Sequence, residues 1–517
     1  MSASLPGKFS KALFIAGVAV FPGAMHAADW RITPRTDFTG TYTDNNNLSS
    51  TNDESAFITG IRPGISADLN AARVRLFADY GLELLSTAGG DDGDGGGDDD
   101  RRLNQQLNAN GTVEWLQDFF FTDASASIFQ QNTSIFGPIA RDNTNDTGNR
   151  SDVKTFSLSP YLKRNLGSLL NYEARYTYGV FDSDQDIVGN GDLQRIDLIV
   201  DSGRAFQTQF GVEYFTETQT IDGNRDDVTR ESVAGNARYP LTSRLNLLAT
   251  VGHEDNDFLT LREDPTGGFY SVGASWAPTP RTQLEARVGE RFFGSTAFLD
   301  LNHRTRRTIW NLSYTEEIAT TQQSFFFPAT PSTATFLDDL FAPGIPDPIA
   351  RAQAVRDFIT ANGLPANFTG AQNFFTNDVF LEERLQLLMT VNLPKNTVTL
   401  SVFNQKRDSL TEGLAGVFGG GDFALADVVE ERGFSAGWVW RFAPRTRLNT
   451  DFTFSKVDSS GIDRDDDIFF FRTGVSHDIA RNVTAGIFFR RNERESSAAN
   501  AEFAENAITG FLGIVYR

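Results

Sequence analysis

The sequence predicts an all-β fold, a transmembrane antiparallel up-and-down β-barrel of about 22 strands, within a range of roughly 18 to 24, with one helix-bearing insertion. Three observations support this fold class. The chain begins with an export signal, its apolar residues alternate with polar ones, and short turns alternate with long loops. We therefore assign residues 28–517 to a single barrel domain.

The N-terminus has the features of a secretory signal peptide. Lys8 and Lys11 precede an apolar run, residues 12–25, which is followed by small residues. A basic segment, a short apolar segment and small residues at the exit are the three parts of such a signal. The run is too short to be a good spanning helix, although an anchor that stays attached is the alternative. We expect cleavage after Ala27, which makes residues 1–27 the signal peptide.

Composition excludes several classes of protein. The 517 residues include no cysteine, so disulfides do not stabilise this exported chain. The net charge of −21 argues against a nucleic-acid partner. No later stretch approaches the 18 or so consecutive apolar residues of a membrane helix, and barrel strands keep a low average hydropathy because they alternate.

Strands are indicated by a period of two. Leu448, Phe452 and Phe454 alternate with Asn449 and Asp451, which places the two sets on opposite faces of a strand. We expect the apolar set to face lipid and the polar set to face the lumen. The same alternation recurs near the N-terminus, over residues 74–84 and over residues 483–490.

Connections between the predicted strands alternate in length, as in barrels with short periplasmic turns and long outer loops. The short ones are residues 69–72, 117–118, 163–168, 201–204, 240–244, 277–282, 393–396, 443–446 and 478–482. The long ones are residues 45–55, 86–102, 132–150, 182–192, 254–268, 459–467 and 492–506. The strand count is uncertain over residues 281–308, which lack a long outer loop, and over residues 320–376, which are not strand-like.

The last predicted strand carries Ile508, Leu512, Ile514 and Tyr516 on one face. Outer-membrane barrels usually present to the assembly machinery a final strand that alternates and has an aromatic residue near its end. In this chain, Arg517 follows the aromatic residue. Outer-membrane lipid and that machinery are therefore the expected partners. A secreted β-sandwich array or a β-helix is the soluble alternative, but neither unit boundaries nor a fixed short repeat occurs.

The insertion at residues 320–376 is Pro-rich and apolar. Residues 347–363 read as one helix, with Asp347 as the N-cap, Pro348 at the first position and Gly363 at the stop. By its place in the alternation the insertion is an outer loop. We interpret it as a constriction or lid, whereas a self-packed cap on the rim is the alternative. The candidate constriction residues are Phe325, Phe326, Phe327, Arg351 and Arg356.

Charges of both signs occupy the predicted inward positions, which favours a wet lumen. A network of ion pairs that plugs a closed barrel is the alternative. The candidate lumen-lining residues are Arg31, Arg35, Arg73, Arg75, Asp79, Glu285, Arg287, Arg291, Asp451 and Arg490.

No motif predicts catalysis, a metal or a cofactor. Residues 433–437 match G-x-S-x-G, but Ser435 lies within an alternating strand and not at a strand-to-helix turn. The mature histidines, His253, His303 and His477, lack metal-ligand spacing. The acidic residues 89–100 could bind Ca²⁺ weakly or form a solvated loop, and they lack the closing Glu of an EF-hand. We therefore expect a protein that is not an enzyme.

The first two predicted strands resemble a known family. Residues 42–45 read Tyr-Thr-Asp-Asn, and residues 57–65 contain Phe-Ile-Thr followed by Pro-Gly-Ile. These elements resemble the outer-membrane β-barrels encoded in exopolysaccharide loci, of the type associated with the PEP-CTERM/exosortase system. The resemblance implies an outer-membrane location and a link to polysaccharide or surface-protein export, and it carries no catalytic residues.

The expected function is thus a passive pore or accessory conduit linked to exopolysaccharide or cell-envelope export. A non-conducting structural or partner-binding barrel is the alternative. Polysaccharide or export-system components are the possible partners, and conductance distinguishes the two functions.

Overall fold

The computed structural model describes residues 29–51, 53–88, 100–184, 190–221, 227–258, 260, 265–327, 351, 355, 375, 376, 378–411 and 426–516. The signal peptide assigned to residues 1–27 lies outside these residues.

The described residues form 22 strands, most of them 12 to 17 residues long. Their bounds are β1 (Asp29–Thr43), β2 (Ala56–Asn70), β3 (Val74–Ala88), β4 (Asp100–Leu116), β5 (Phe120–Asn132), β6 (Arg150–Leu166), β7 (Leu170–Ser183), β8 (Gly191–Ser202), β9 (Gln209–Ile221), β10 (Val228–Pro240), β11 (Leu245–Asp257), β12 (Gly267–Thr279), β13 (Thr282–Arg291), β14 (Gly294–Arg304), β15 (Thr308–Ala319), β16 (Phe380–Asn392), β17 (Asn396–Ser409), β18 (Val428–Ala443), β19 (Thr446–Ser460), β20 (Arg464–Ala480), β21 (Val483–Ser496) and β22 (Phe503–Val515).

Each strand pairs in antiparallel fashion with the next strand in the chain, and β22 pairs with β1. The closing register joins Phe38 to Leu512 and Thr41 to Thr509. A closed sheet leaves no unpaired backbone edge, which is the condition for β-structure inside a lipid bilayer. The predicted up-and-down barrel of about 22 strands is confirmed.

Two connections on the side of the long loops are tight turns. Residues 459–467 were expected as a long loop, but β19 and β20 continue to Ser460 and Arg464 with a turn at residues 461–463. Gly461 and Asp463 have φ of 100° and 49°, so a tight hairpin replaces the loop. Over residues 281–308, where no long outer loop was expected, β13 and β14 are joined at residues 292–293, and Gly294 has a φ of 119°.

One short helix, α1 (Thr321–Phe326), follows β15, and the Thr320 side chain caps its N-terminus. In the described part of the chain, no helix combines the length and the apolar character that a bilayer-spanning helix requires.

The outer face of the barrel is apolar. Val251 and Val288 are 66% and 61% exposed, although large apolar side chains are normally buried in water-soluble domains. Aromatic side chains are exposed near the end that carries the short turns, among them Trp30, Tyr239, Trp276, Trp440 and Phe442. An apolar band with an aromatic girdle is the surface of a barrel in lipid. The fold is therefore that of an outer-membrane β-barrel.

Candidate functional site: the lumen and its inward-folded loop

The outer half of the lumen is occupied by residues 133–149, the connection between β5 and β6, which we call the inner loop. Ile135 and Ile139 of this loop are 2% and 1% exposed. They belong to an apolar cluster with Phe380, Val457 and Ile468 of the wall. Since β16, β19 and β20 lie far from β5 and β6 around the barrel, the loop crosses the mouth of the lumen.

Arg494 of β21 binds the first half of the inner loop. Its guanidinium donates hydrogen bonds to the carbonyl oxygens of Gly137 at 2.6 Å and Ile135 at 3.1 Å. It also forms an ion pair with Asp466, and the two side chains are 1% and 0% exposed. The loop backbone is thus bound by a buried and neutralised pair of wall residues.

Arg490 binds the second half of the loop. Its guanidinium forms an ion pair with Asp142 of the loop and donates hydrogen bonds to Glu505 of β22 at 3.1 and 2.5 Å. Asn145 of the loop donates to the same carboxylate at 2.8 Å. Burial alone would raise the pKa of Asp142, but the Arg490 charge and hydrogen bonds from Thr144 bring it down to about 2. Asp142 is therefore ionised at neutral pH.

Further wall residues bind the loop from other sides. Arg102 of β4 donates to the carbonyl oxygen of Thr144 at 2.9 Å, and Arg464 of β20 donates to that of Phe136 at 2.9 Å. Because these contacts come from strands that are not neighbours in the barrel, the loop is fixed in position across the mouth.

The inner loop also supports itself. The Asn149 side chain accepts hydrogen bonds from the Thr133 hydroxyl and the Ser134 backbone N–H at 2.8 and 2.9 Å. It donates to the carbonyl oxygens of Ser134 and Pro138 at 2.9 and 3.0 Å. The two ends of the loop meet where the N–H of Thr133 donates to the carbonyl oxygen of Asn149 at 3.0 Å. One asparagine thus closes the loop at its base.

Arg141 lies at the tip of the loop, with its guanidinium 5.3 Å from the centre of the Phe470 ring. Its Nε and Nη2 atoms are buried without a hydrogen-bond partner among the described residues. Burial lowers the pKa of this guanidinium, and the Glu431 charge opposes that effect.

Two of the five candidate constriction residues pack against the wall. The Phe325 ring lies 5.2 Å from that of Phe181 and 5.8 Å from that of Phe375, and the Phe326 ring lies against Gly179. Phe327 is 45% exposed, and the centre of its ring lies 5.6 Å from the Arg195 guanidinium of β8. The start and end of the 320–376 insertion are therefore attached to β5, β6 and β7.

The rest of the insertion is only partly described. Arg351 and Val355 are helical, as expected for the helix predicted over residues 347–363, and Arg351 is half-buried. Arg356 lies outside the described residues, as do most positions of that helix. The constriction at this insertion stays a prediction.

The candidate lumen-lining residues lie at different depths. Arg35 and Asp79 form a bidentate ion pair, with nitrogen–oxygen distances of 2.5 and 2.7 Å. Arg31 and Arg75 are exposed near the end with the short turns. Arg73 was expected on a strand, but it lies in the turn between β2 and β3, where its carbonyl oxygen accepts a hydrogen bond from the Glu114 N–H at 2.8 Å.

The remaining candidates flank unfilled space. Arg287 pairs with Glu285, and Arg291 pairs with Glu254. A cavity of about 460 Å³ lies beside Glu285 and Arg287, and another of about 460 Å³ lies beside Asp451. The outer half of the lumen is therefore filled by a loop and ion pairs, whereas the half below it retains space between charged walls.

Residues 132–150 were predicted as an ordinary outer loop, and their place in the lumen was not predicted. A signal was present, since Ile135, Phe136 and Ile139 form an apolar stretch within a connection otherwise rich in Asn, Asp and Thr. Of these anchoring contacts, only the inward direction of Arg490 was predicted, and its partners were not.

The described residues contain no group of three or more His, Cys, Asp or Glu side chains placed to hold a metal ion. Ser435 pairs with Thr453 and Ser401 inside the sheet, so no nucleophile elbow forms there. The acidic residues 89–99 lie outside the described residues, and their Ca²⁺ binding stays a prediction.

No family model matches the chain, and no curated protein matches it. Solved structures whose chain trace is similar include the siderophore receptor PirA from Pseudomonas aeruginosa. PirA is 10% identical to this chain, the match covers 94% of this chain and 80% of that chain, and the TM-score is 0.43. The FrpB iron transporter from Neisseria meningitidis is 10% identical over 94% of this chain and 82% of that chain, with a TM-score of 0.46. At these identities and TM-scores, the similarity assigns no function to this chain. The assignment as an outer-membrane barrel rests on the strand pairing and the apolar outer face described above.

Proposed function

We propose that this barrel is a gated conduit for a polar solute of the cell envelope and that the inner loop is its gate. The observation that carries the proposal is a loop fixed across the mouth by wall arginines above space that the wall leaves unfilled. The loop is attached largely through hydrogen bonds and ion pairs, which water or a solute can replace. A gate requires such exchangeable contacts.

The solute is taken to be a polysaccharide or another envelope component in transit. This part of the proposal rests on the resemblance of residues 42–45 and 57–65 to barrels of exopolysaccharide loci. The charged wall is compatible with a hydrated chain passing through it.

A non-conducting barrel that holds a partner at the cell surface is the second candidate. The burial of Ile135, Ile139 and Asn145 favours it, since a loop packed this tightly resembles a permanent plug. Twenty-two-stranded outer-membrane transporters generally have plugged lumens, which is consistent with either function.

Single-channel conductance of the purified protein in planar bilayers distinguishes the two. We expect low conductance for the wild type and a several-fold increase when residues 134–148 are replaced by a short Gly/Ser linker. A short linker can join the two ends of the loop because they are adjacent, with the Thr133 N–H bonded to the Asn149 carbonyl oxygen.

The matched control replaces residues 328–374 with a linker of the same type. If only the control variant conducts more, the predicted constriction at the 320–376 insertion is the gate and the inner loop is not. A folded inner-loop variant with unchanged conductance, together with an unchanged control, would favour the partner-binding barrel.

A further inference from the structure

We infer that a patch of the lumen wall directly below the inner loop is a binding subsite for an acidic saccharide. The patch consists of Asp451, Arg472, Phe488 and Phe511, with Asn449 and Thr484 beside them, and we call it the wall patch. All six residues line one cavity of about 460 Å³. The inference names a substrate class for the conduit and to that extent rests on the proposed function.

The position of the wall patch places it on the route through the barrel. Arg472 is the cross-strand neighbour of both Asp451 and Arg490, and Arg490 is the residue that binds Asp142 of the inner loop. A solute that reaches the closed gate from below therefore meets the wall patch first.

The charges of the wall patch differ from the neutralised pairs around it. Among the described residues, neither Arg472 nor Asp451 has a salt-bridge partner within 4 Å or a side-chain hydrogen bond, and both are exposed to the lumen. Nearby Arg447, in contrast, pairs with Asp478 at 3.2 Å. The cation and the anion of the wall patch thus keep their hydrogen-bonding groups available to a ligand.

The patch also presents aromatic surface. The Arg472 guanidinium lies 3.9 Å from the centre of the Phe488 ring, and the Phe488 and Phe511 ring centres are 6.4 Å apart. Stacking on the ring holds the guanidinium in a fixed orientation. Gly474 lines the same cavity, and its lack of a side chain lets Phe488 pack against the neighbouring strand.

These features together select the chemistry of the ligand. A small anion would use Arg472 but would leave the rings and Asp451 without contacts. An apolar ligand would use the rings but leave Arg472, Asp451 and Asn449 without partners. An acidic saccharide offers a carboxylate for the guanidinium fork, hydroxyl donors for Asp451, and an apolar face of ring C–H groups for the phenylalanines.

Isothermal titration calorimetry on the detergent-solubilised full barrel tests the inference, with tetragalacturonate as the probe. We expect the wild type to bind tetragalacturonate and to bind neutral maltotetraose at least tenfold more weakly. Arg472→Gln should weaken tetragalacturonate binding about tenfold or more, which is the scale of a lost charge-assisted hydrogen bond. Phe488→Leu should also weaken binding about tenfold, because the ring that orients the Arg472 guanidinium is lost. Arg472→Lys keeps the positive charge but lacks the paired N–H donors of the guanidinium, so it should give an intermediate loss of affinity.

Arg75→Gln is the matched control, because it removes one exposed lumen charge away from the cavity and should change affinity less than twofold. Heat-modifiable migration on gels verifies that each variant is folded. Wild-type affinity in both Arg472→Gln and Phe488→Leu, equal binding of maltotetraose, or no binding of tetragalacturonate would each overturn the subsite. Binding to a barrel that never conducts would overturn the conduit and leave the subsite standing.

Discussion

Arg490 shows how a single residue links the gate to the wall. Its side chain is 2% exposed and lies between Asp142 of the inner loop and the fully buried Glu505. Removing one member of a buried ion pair is far more costly than removing an exposed one, because the other charge remains in a poorly solvated position.

We therefore expect Arg490→Gln to lower the free energy of unfolding by about 3–5 kcal/mol. Arg447→Gln is the matched control, since Arg447 and Asp478 are 39% and 37% exposed. The control should cost about 0–1 kcal/mol. Urea unfolding of both variants in lipid vesicles measures the difference. Equal losses of unfolding free energy would contradict the stabilising role of the buried Arg490 ion pairs.

The register of β19 supports a second test at the residue scale. Phe452 contacts Phe434 and Phe469 on the outer face, with ring centres 5.1 and 5.4 Å apart, whereas Asp451 lines a lumen cavity. Phe452→Arg should cost about 2–4 kcal/mol if the position lies near mid-membrane. Asp451→Arg should leave folding nearly unchanged, and unfolding measurements that gave similar values for both would disprove this register.

At the scale of elements, α1 and the inner loop both fold inward, although the sequence predicted only the insertion as a constriction. Both use apolar residues to pack on the wall and polar groups to satisfy their backbones. The Thr320 hydroxyl, for example, caps α1 and donates to the Gln219 side chain at 2.7 Å.

Phe325 anchors α1 in a cluster with Val153, Phe181 and Phe375. Phe325→Ala should therefore release the start of the insertion and raise its rate of cleavage by protease several-fold in the intact barrel, because protease cleavage follows local opening. Phe327→Ala is the control, since that side chain is 45% exposed and should have little effect. Equal cleavage of both variants would show that the aromatic cluster does not hold the segment.

At the scale of the whole molecule, the pairing of β1 with β22 closes the barrel. Nine residue pairs join the two strands, and the hydroxyls of Thr41 and Thr509 bond across the lumen face at 2.8 Å. Without this pairing, β1 and β22 would each present an open edge, which a bilayer does not tolerate.

Deleting residues 503–517 should therefore abolish assembly in the outer membrane, whereas removing Arg517 alone should leave it intact. Membrane fractionation and heat-modifiable gel migration check both variants. A folded barrel without residues 503–517 would mean that β21 can close the sheet instead of β22.

The sequence by itself determined the barrel, because both requirements of a spanning strand are local. Alternation with a period of two places Phe452 and Asp451 on opposite faces whatever the neighbouring strands are, and polar turns mark the ends of each strand. An approximate number of strands, their antiparallel order and the inward direction of Arg35, Asp79 and Arg490 follow from the same pattern, whereas the exact count of 22 required the structure.

The tertiary structure alone decided which long connection fills the lumen and what binds it. Arg490 and Asp142 are 348 residues apart in the chain, and no local pattern relates them. Their meeting depends on closure, which brings β21 within reach of a loop that leaves β5. An apolar stretch in a loop indicates that the loop must be buried, but only the closed wall determines that the lumen is where it can be buried.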